Sequence, residues 1–92
     1  VLSKLKDTPF LIETGWYEIQ PGNIFEGKSL KDLEVRSKTG VSAVGLMRNG
    51  EFTPNPEPDI VFAAGDLIAI IGLKEKRLIF ENMFFTKGDK KS

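Results

Sequence analysis

The chain has 92 residues, no cysteine, no histidine, and 13 basic against 13 acidic side chains. This length allows one small domain, and the missing residue types exclude a disulfide framework, a Cys/His metal site and a histidine proton shuttle. The zero net charge argues against a nucleic-acid partner, because such binders carry a basic excess. The longest apolar run, residues 67–73, is far shorter than the roughly 20 residues that span a bilayer. We therefore do not expect this segment to insert into one.

The N-terminal region is predicted to be a connector followed by a strand. Residues 1–14 form the connector or N-terminal extension, and the start at Val1 indicates a piece of a longer polypeptide. The apolar and aromatic residues near 15–20 predict the first strand. Pro21 and Gly22 are expected to end it, because both residue types interrupt regular structure.

A short helical stretch is predicted next. Ser29 and Asp32 have the spacing of a capping box, in which each side chain bonds the backbone N–H of the other residue. Gly40 suits the left-handed conformation that ends many helices. We expect the stretch of about ten residues to break into two short turns.

A hairpin and an extended crossing segment follow. Residues 41–48 predict a strand, the dipeptide Asn49-Gly50 predicts a tight turn, and residues 51–53 predict the short return strand. Three alternate prolines within residues 54–59 disfavour both helix and central sheet. This segment is therefore expected to cross the molecule in an extended conformation.

The C-terminal third is predicted to be a strand and a helix. The continuous apolar run at 66–71 predicts a strand buried on both faces, which Gly72 ends. Residues 73–85 predict a helix with a wide apolar stripe that covers the sheet, a partner, or both. The stripe comprises Leu73, Arg77, Phe80 and Phe84, with Ile79 and Met83 beside them. The predicted fold class is α+β, with a mostly antiparallel sheet of about four to five strands, a short helix and a C-terminal helix.

The octapeptide "GNIFEGKS" at residues 22–29 satisfies the phosphate-binding pattern of P-loop nucleotide hydrolases. Ile24 and Phe25 are large and apolar, however, and Glu26 would repel a phosphate at close range. Such hydrolases also need several strand–helix–strand units of about 30 residues each, which do not fit here. We interpret the octapeptide as a turn and a helix start, and we identify no catalytic residue and no metal ligand.

Residues 15–85 contain, in order, a series of short motifs that resembles the TrkA C-terminal, or RCK-C, domain. The matching positions are Gly27-Lys28-Ser29-Leu30, Leu33 with Val35 and Arg36, Gly40-Val41 with Arg48, Asn55-Pro56 with Asp59, and Gly65-Asp66 with Ile68 and Gly72. Thr39 and Leu73 depart from the pattern, where an aromatic residue and a helix-capping Ser or Thr are common. Residues 86–92 remain as a polar tail.

The resemblance implies a cytoplasmic regulatory domain on the inner face of the cell membrane. It implies a homodimer attached to a membrane-embedded potassium channel, potassium uptake system or other cation transporter. Some members of this family bind cyclic di-AMP in the cleft of the dimer, and the positions that correspond to their contacts are Val44, Arg48 and Asn55.

Two other functions stay open from the residues themselves. The wide stripe on residues 73–85 is also typical of a structural oligomerisation domain that binds no ligand. The phosphate pattern keeps a nucleotide hydrolase as the least favoured alternative.

Overall fold

The computed structural model describes residues 12–85. In chain order these residues form strand β1 (Ile12–Glu18), helices α1 (Leu30–Leu33) and α2 (Val35–Thr39), strands β2 (Ser42–Arg48), β3 (Glu51–Pro54) and β4 (Leu67–Leu73), and helix α3 (Lys74–Phe84). The predicted tail at 86–92 and residues 1–11 of the predicted connector lie outside the described residues.

The four strands form one antiparallel sheet in the order β1-β4-β2-β3. Strand β4 is central because its apolar run can be covered on both faces, and Ile68, Ala69 and Ile70 are all buried there. The predicted α+β fold, with a small antiparallel sheet, a short helical stretch and a C-terminal helix, is confirmed.

Two predicted strand boundaries are wrong. The first strand was expected near residue 15, but β1 begins at Ile12, which pairs with Leu73. Gly72 does not end β4, because the strand continues through it, paired with Glu13. Both extensions belong to one ladder whose partners are distant in sequence, so local composition does not reveal them. Glycine at position 72 also leaves room for Val41, whose Cγ1 would lie 3.1 Å from an added Cβ.

The helical stretch breaks into α1 and α2, as predicted. Ser29 Oγ accepts the N–H of Asp32 at 3.1 Å, and the Asp32 carboxylate accepts the N–H of Ser29 at 3.1 Å, which completes the capping box. Glu34 separates the two helices in a left-handed conformation with φ 50°, and Gly40 ends α2 with φ 87°. The break turns the chain so that Val35 of α2 is buried in the core.

Aromatic side chains fill the core between the inner face of the sheet and α3. The buried rings pack with centroids 5.1–6.1 Å apart, in tilted, edge-on and stacked arrangements that favour aromatic contacts. This aromatic core comprises Tyr17, Phe25, Phe62, Phe80, Phe84 and Phe85. The α3 stripe is narrower than predicted, because Ile79 and Met83 remain 41% and 42% exposed while Phe80 and Phe84 are buried.

A polar network fastens β1 to α3 at one side of this core. The Tyr17 hydroxyl donates to Glu81 Oε2 at 2.5 Å and accepts from Arg77 Nη1 at 3.1 Å. Arg77 Nη2 also donates to Glu13 Oε1 at 2.7 Å. An added Cβ at Gly15 would lie 2.6 Å from Arg77 Nη1, so the glycine makes space for the guanidinium.

Candidate functional site

The octapeptide at residues 22–29 does not form a phosphate cradle. A cradle needs backbone N–H groups that point at the ligand. Here every backbone N–H from 22 to 29 except that of Ile24 donates to an acceptor within the protein. Glu26 itself occupies the N–H of Gly22 at 2.8 Å. Phe25 is fully buried in the aromatic core, whereas Ile24 is 48% exposed.

A groove with a volume of about 780 Å³ lies where α1, α2, the start of β2 and the crossing segment after β3 meet. This volume falls within the range of roughly 300–1,000 Å³ that is typical of small-molecule sites. Its floor is mostly aliphatic, with Val35 and Val41 buried beneath it. The lining residues used below are Lys31, Glu34, Arg36, Ser42, Val44, Asn55 and Ile71.

Two of the three sequence-predicted site residues lie together on one wall of this groove. The register between β2 and β4 shifts between Ala43 and Gly45, so Val44 is the extra residue of a β-bulge. The Val44 carbonyl accepts the N–H of Asn55 at 3.0 Å. Asn55 itself has φ 48°, a left-handed conformation that asparagine tolerates better than most residues. Irregular backbone therefore aims both residues at the groove.

The polar groups of the groove carry more positive than negative charge. Lys31 and Arg36 contribute basic side chains, and Glu34 contributes one carboxylate. Neither basic side chain forms an ion pair within residues 12–85, and the Asn55 amide makes no side-chain hydrogen bond there. These groups are available to a ligand with anionic and hydrogen-bonding atoms.

Arg48, the third predicted site residue, does not line the groove. It lies four residues after Val44, or about 13 Å along an extended strand. Its guanidinium donates to both carboxylate oxygens of Asp66, at 2.9 and 2.6 Å, and to the Val61 carbonyl at 2.9 Å. This bidentate geometry is the strong form of an arginine–carboxylate pair.

The ion pair with Arg48 helps to lower the pKa of the Asp66 carboxyl. Burial by itself raises the pKa of this carboxyl, whose side chain is only 4% exposed. Hydrogen bonds from Arg48 and from the Ala63 N–H, together with the Arg48 charge, outweigh the burial and hold the pKa below its usual value. Asp66 is therefore ionised near neutral pH and joins the end of β2 to the turn before β4.

The basic side chains Lys31 and Arg36 were not among the predicted contacts. Sequence reasoning placed Arg36 in the family pattern and Lys31 in a capped helix, but neither position indicates a groove. Both line the same groove as Asn55 only because the left-handed backbone at Glu34 changes the direction of the chain between α1 and α2. Within residues 12–85 no cluster of three potential metal-binding side chains occurs. No helix in the same range is long and apolar enough to cross a membrane.

The antiparallel sheet, the C-terminal helix and the groove together define a small α+β binding domain. The TrkA-C domain family matches residues 15–84, and the chain belongs to this family. TrkA-C domains are non-enzymatic, so the hydrolase alternative is set aside.

One curated relative is the probable potassium channel protein 2 of Methanocaldococcus jannaschii. It is 35% identical over 79 residues, a match that covers 86% of this chain and 23% of the relative. The chain therefore spans about a quarter of that relative's length.

Solved structures with the same fold include two proteins in complex with cyclic di-AMP. The RCK-C domain dimer of Streptococcus agalactiae BusR is 25% identical, with a TM-score of 0.67, and covers 75% of this chain and 91% of that one. The RCK-C domain of the potassium transport protein KtrA is 23% identical, with a TM-score of 0.72, and covers 90% and 91%. A further BusR structure contains promoter DNA, at 22% identity and a TM-score of 0.72, covering 95% of this chain and 43% of that one. That likeness shows the fold alone, and the expectation of no nucleic-acid partner stays a prediction.

Proposed function

We propose that this chain is the cytoplasmic regulatory domain of a potassium or other cation transport protein, on the inner face of the membrane. In this proposal it dimerises and binds a small ligand, and the ligand controls transport. The observation that carries the proposal is the groove beside Val44 and Asn55, found in a chain of the TrkA-C family. The likeness to a potassium channel protein and to a dimeric RCK-C domain supports the transport system and the dimer.

The proposed ligand is a small anionic molecule with a planar, hydrogen-bonding part, and cyclic di-AMP is the first candidate. The aliphatic floor can bury a planar group, and Lys31 and Arg36 can pair with phosphate. The Asn55 amide can both donate and accept, so it can recognise a polar ring edge. The likeness to the BusR and KtrA domains that bind cyclic di-AMP supports this choice.

Val44 and Asn55 are the proposed contacts on the β2 wall. A ligand contact by Arg48 remains a prediction, because the guanidinium would have to leave Asp66 in order to pair with a ligand phosphate. That exchange leaves Asp66 buried without its partner, which costs several kcal/mol by order of magnitude. Direct contact by Arg48 therefore requires a ligand that reaches the far end of β2.

Control of transport follows from linkage between ligand and dimer. A ligand shifts the balance between two dimer arrangements only by the difference in its affinity for them. The groove is open in a single chain and is lined by helix, strand and loop, so a change in how two copies meet would alter its walls. The attached transport protein would sense the resulting arrangement.

The test is calorimetric titration of the chain with cyclic di-AMP, ATP, NADH and divalent cations. Asn55→Gly removes the amide while it keeps the left-handed backbone, and Arg36→Gln removes one charge. Arg36→Gln should weaken binding about tenfold or more, because a hydrogen bond to a charged group contributes about 1.5–3 kcal/mol. Asn55→Gly should weaken it by up to about tenfold, because a neutral hydrogen bond contributes about 0.5–1.5 kcal/mol. Lys38→Gln is the matched control, since Lys38 is an exposed basic residue of α2 outside the groove lining.

Two outcomes would contradict the proposal. If no compound of the panel binds and light scattering gives a monomeric mass, both the proposed ligand binding and the proposed dimer are contradicted. A stable dimer whose melting temperature is unchanged across the panel would favour the ligand-free oligomerisation domain, since any ligand that prefers the folded state raises its stability.

A further inference from the structure

The sheet has a second face, which no helix among residues 12–85 covers. We call it the outer face, because the aromatic core and α3 pack on the opposite side. Pairing registers place on it alternate residues of all four strands. These are Ile12, Thr14, Trp16 and Glu18 of β1, Leu67, Ala69, Ile71 and Leu73 of β4, Ser42, Gly45 and Met47 of β2, and Phe52 and Pro54 of β3.

The outer face is apolar and nearly uncharged. Glu18, at its margin, is the single ionisable residue on it within residues 12–85, in a chain of which 28% is charged. Trp16 and Phe52 lie with ring centroids 6.2 Å apart at the centre of the face and are 50% and 52% exposed. Ile12 is 58% exposed at one end. Soluble monomers rarely leave so continuous an apolar face in water.

The size of this surface fits the centre of a protein–protein interface. Because a fully buried aromatic side chain removes about 150–250 Å² from water, half-exposed Trp16 and Phe52 alone leave on the order of 200 Å² of ring surface. The partly exposed aliphatic side chains around them extend the patch further. A standard interface buries about 800 Å² per partner around an apolar centre with aromatic anchors. The outer face supplies such a centre.

We propose that a second copy of this chain docks on the outer face, with a twofold axis near Trp16 and Phe52. A twofold contact brings the same patch of each copy together, so the patch must be complementary to itself. A face whose only charge lies at the margin meets this condition without placing like charges at the centre. Aromatic rings of one copy can then pack beside those of its partner.

The outer face also continues into the groove. Ile71 and Ser42 pair with each other, belong to the outer face and line the groove. Docking of a second copy on this face would bring its surface to the mouth of the groove. The proposed interface rests on the dimer of the proposed function and specifies which surfaces meet in it. Occupancy of the groove by a ligand would then depend on how the two copies meet.

The rival surface is the exposed side of α3, formed by Leu78, Ile79 and Met83. It lacks exposed aromatic rings, and the charged residues Lys74, Glu75 and Lys76 of the same helix are exposed. The two surfaces can be separated because each offers an exposed apolar residue for replacement by glutamate.

The experiment measures dimerisation of the chain and of two matched variants by sedimentation equilibrium over a range of concentrations. Phe52→Glu places a carboxylate in the outer face, and Ile79→Glu places one on α3. Phe52→Glu should raise the dimer Kd on the order of tenfold or more, because a buried unpaired carboxylate is costly. Ile79→Glu should leave Kd unchanged. Thermal melts of both variants check that the fold persists.

Trp16 provides a second readout, because the chain contains a single tryptophan. Its emission should shift to the blue, and its quenching by iodide should fall, as the wild-type chain dimerises. Both changes should need higher concentration in Phe52→Glu.

The outcomes separate the failure of this inference from the failure of the proposed function. If the wild-type chain dimerises and Phe52→Glu dimerises equally well, the outer face is not the interface, and the dimer itself stands. If Ile79→Glu alone dissociates, α3 is the interface. A wild-type chain that stays monomeric, with or without a shielded Trp16, overturns both the interface and the proposed dimer.

Discussion

Replacing Phe25 by alanine tests the claim that the loop at residues 22–29 is part of the core. The ring is fully buried, and its centroid lies 5.2 Å from that of Phe84 and 5.5 Å from that of Phe62. Loss of such a ring costs about 3–5 kcal/mol from transfer and cavity terms together. A 92-residue chain at about 0.05–0.15 kcal/mol per residue has a total stability of roughly 5–14 kcal/mol. The substitution should therefore remove about a fifth or more of the free energy of unfolding.

The measurement is urea denaturation followed by far-ultraviolet circular dichroism. Ile24→Ala is the matched control, because the neighbouring side chain is 48% exposed and its loss should cost about 0.5 kcal/mol or less. If Phe25→Ala is unfolded in water, Phe25→Leu should show a smaller loss in the same direction. A Phe25→Ala protein as stable as Ile24→Ala would refute the assignment of this side chain to the core.

Three further predictions concern single groups. Burial, the hydrogen bond to Glu81 and the Glu81 charge raise the pKa of Tyr17 from 10.0 to about 12, against an opposing effect of Arg77. The stability that Tyr17 contributes is thus complete below pH 10 and is lost as pH rises toward 12. The phenolate absorbance of this single tyrosine should titrate at about 12 in the native chain and near 10 in urea, and equal midpoints would contradict the network. The pKa of Asp66 lies below its usual value, so the stability it contributes is present above pH ~3.9 and is lost as pH falls through the lower native value. Asp66→Asn should remove that part of the acid dependence in denaturation curves, and an unchanged dependence would argue against the pair with Arg48. Ser29→Ala should cost ~1 kcal/mol through loss of the helix cap, whereas the exposed Ser37→Ala should be nearly neutral, and equal losses in thermal melts would contradict the cap.

Features specified by neighbouring residues could be predicted from the sequence. The capping box at Ser29, the left-handed end at Gly40 and the turn at Asn49-Gly50 each depend on a few adjacent residues, and each is present in the fold. The order of family motifs also indicated the correct domain family.

Features that depend on distant partners could not be predicted in this way. The start of β1 at Ile12 and the passage of β4 through Gly72 are set by pairing across the sheet. The partner of Arg48 is Asp66, which lies 18 residues further along the chain. The groove itself forms where two helices, a bulge and a proline segment come together, and the sequence of no single segment predicts that arrangement. The family resemblance could therefore suggest Val44 and Asn55, but the presence of Lys31 and Arg36 beside them in the groove became visible only in the fold.

The network of Tyr17, Arg77, Glu13 and Glu81 has a mechanical consequence. It binds the first strand to the last helix, and seven paired positions, Ile12–Glu18, bind the same strand to β4, which leads directly into that helix. These elements should respond to load as one stiff body. The hairpin of β2 and β3 is joined to that body through a ladder that Val44 interrupts, so the compliance of the domain is concentrated beside the groove. A displacement applied at β1 would thus reach α3 almost undiminished. The groove lies where the hairpin of β2 and β3 can tilt relative to the stiff body.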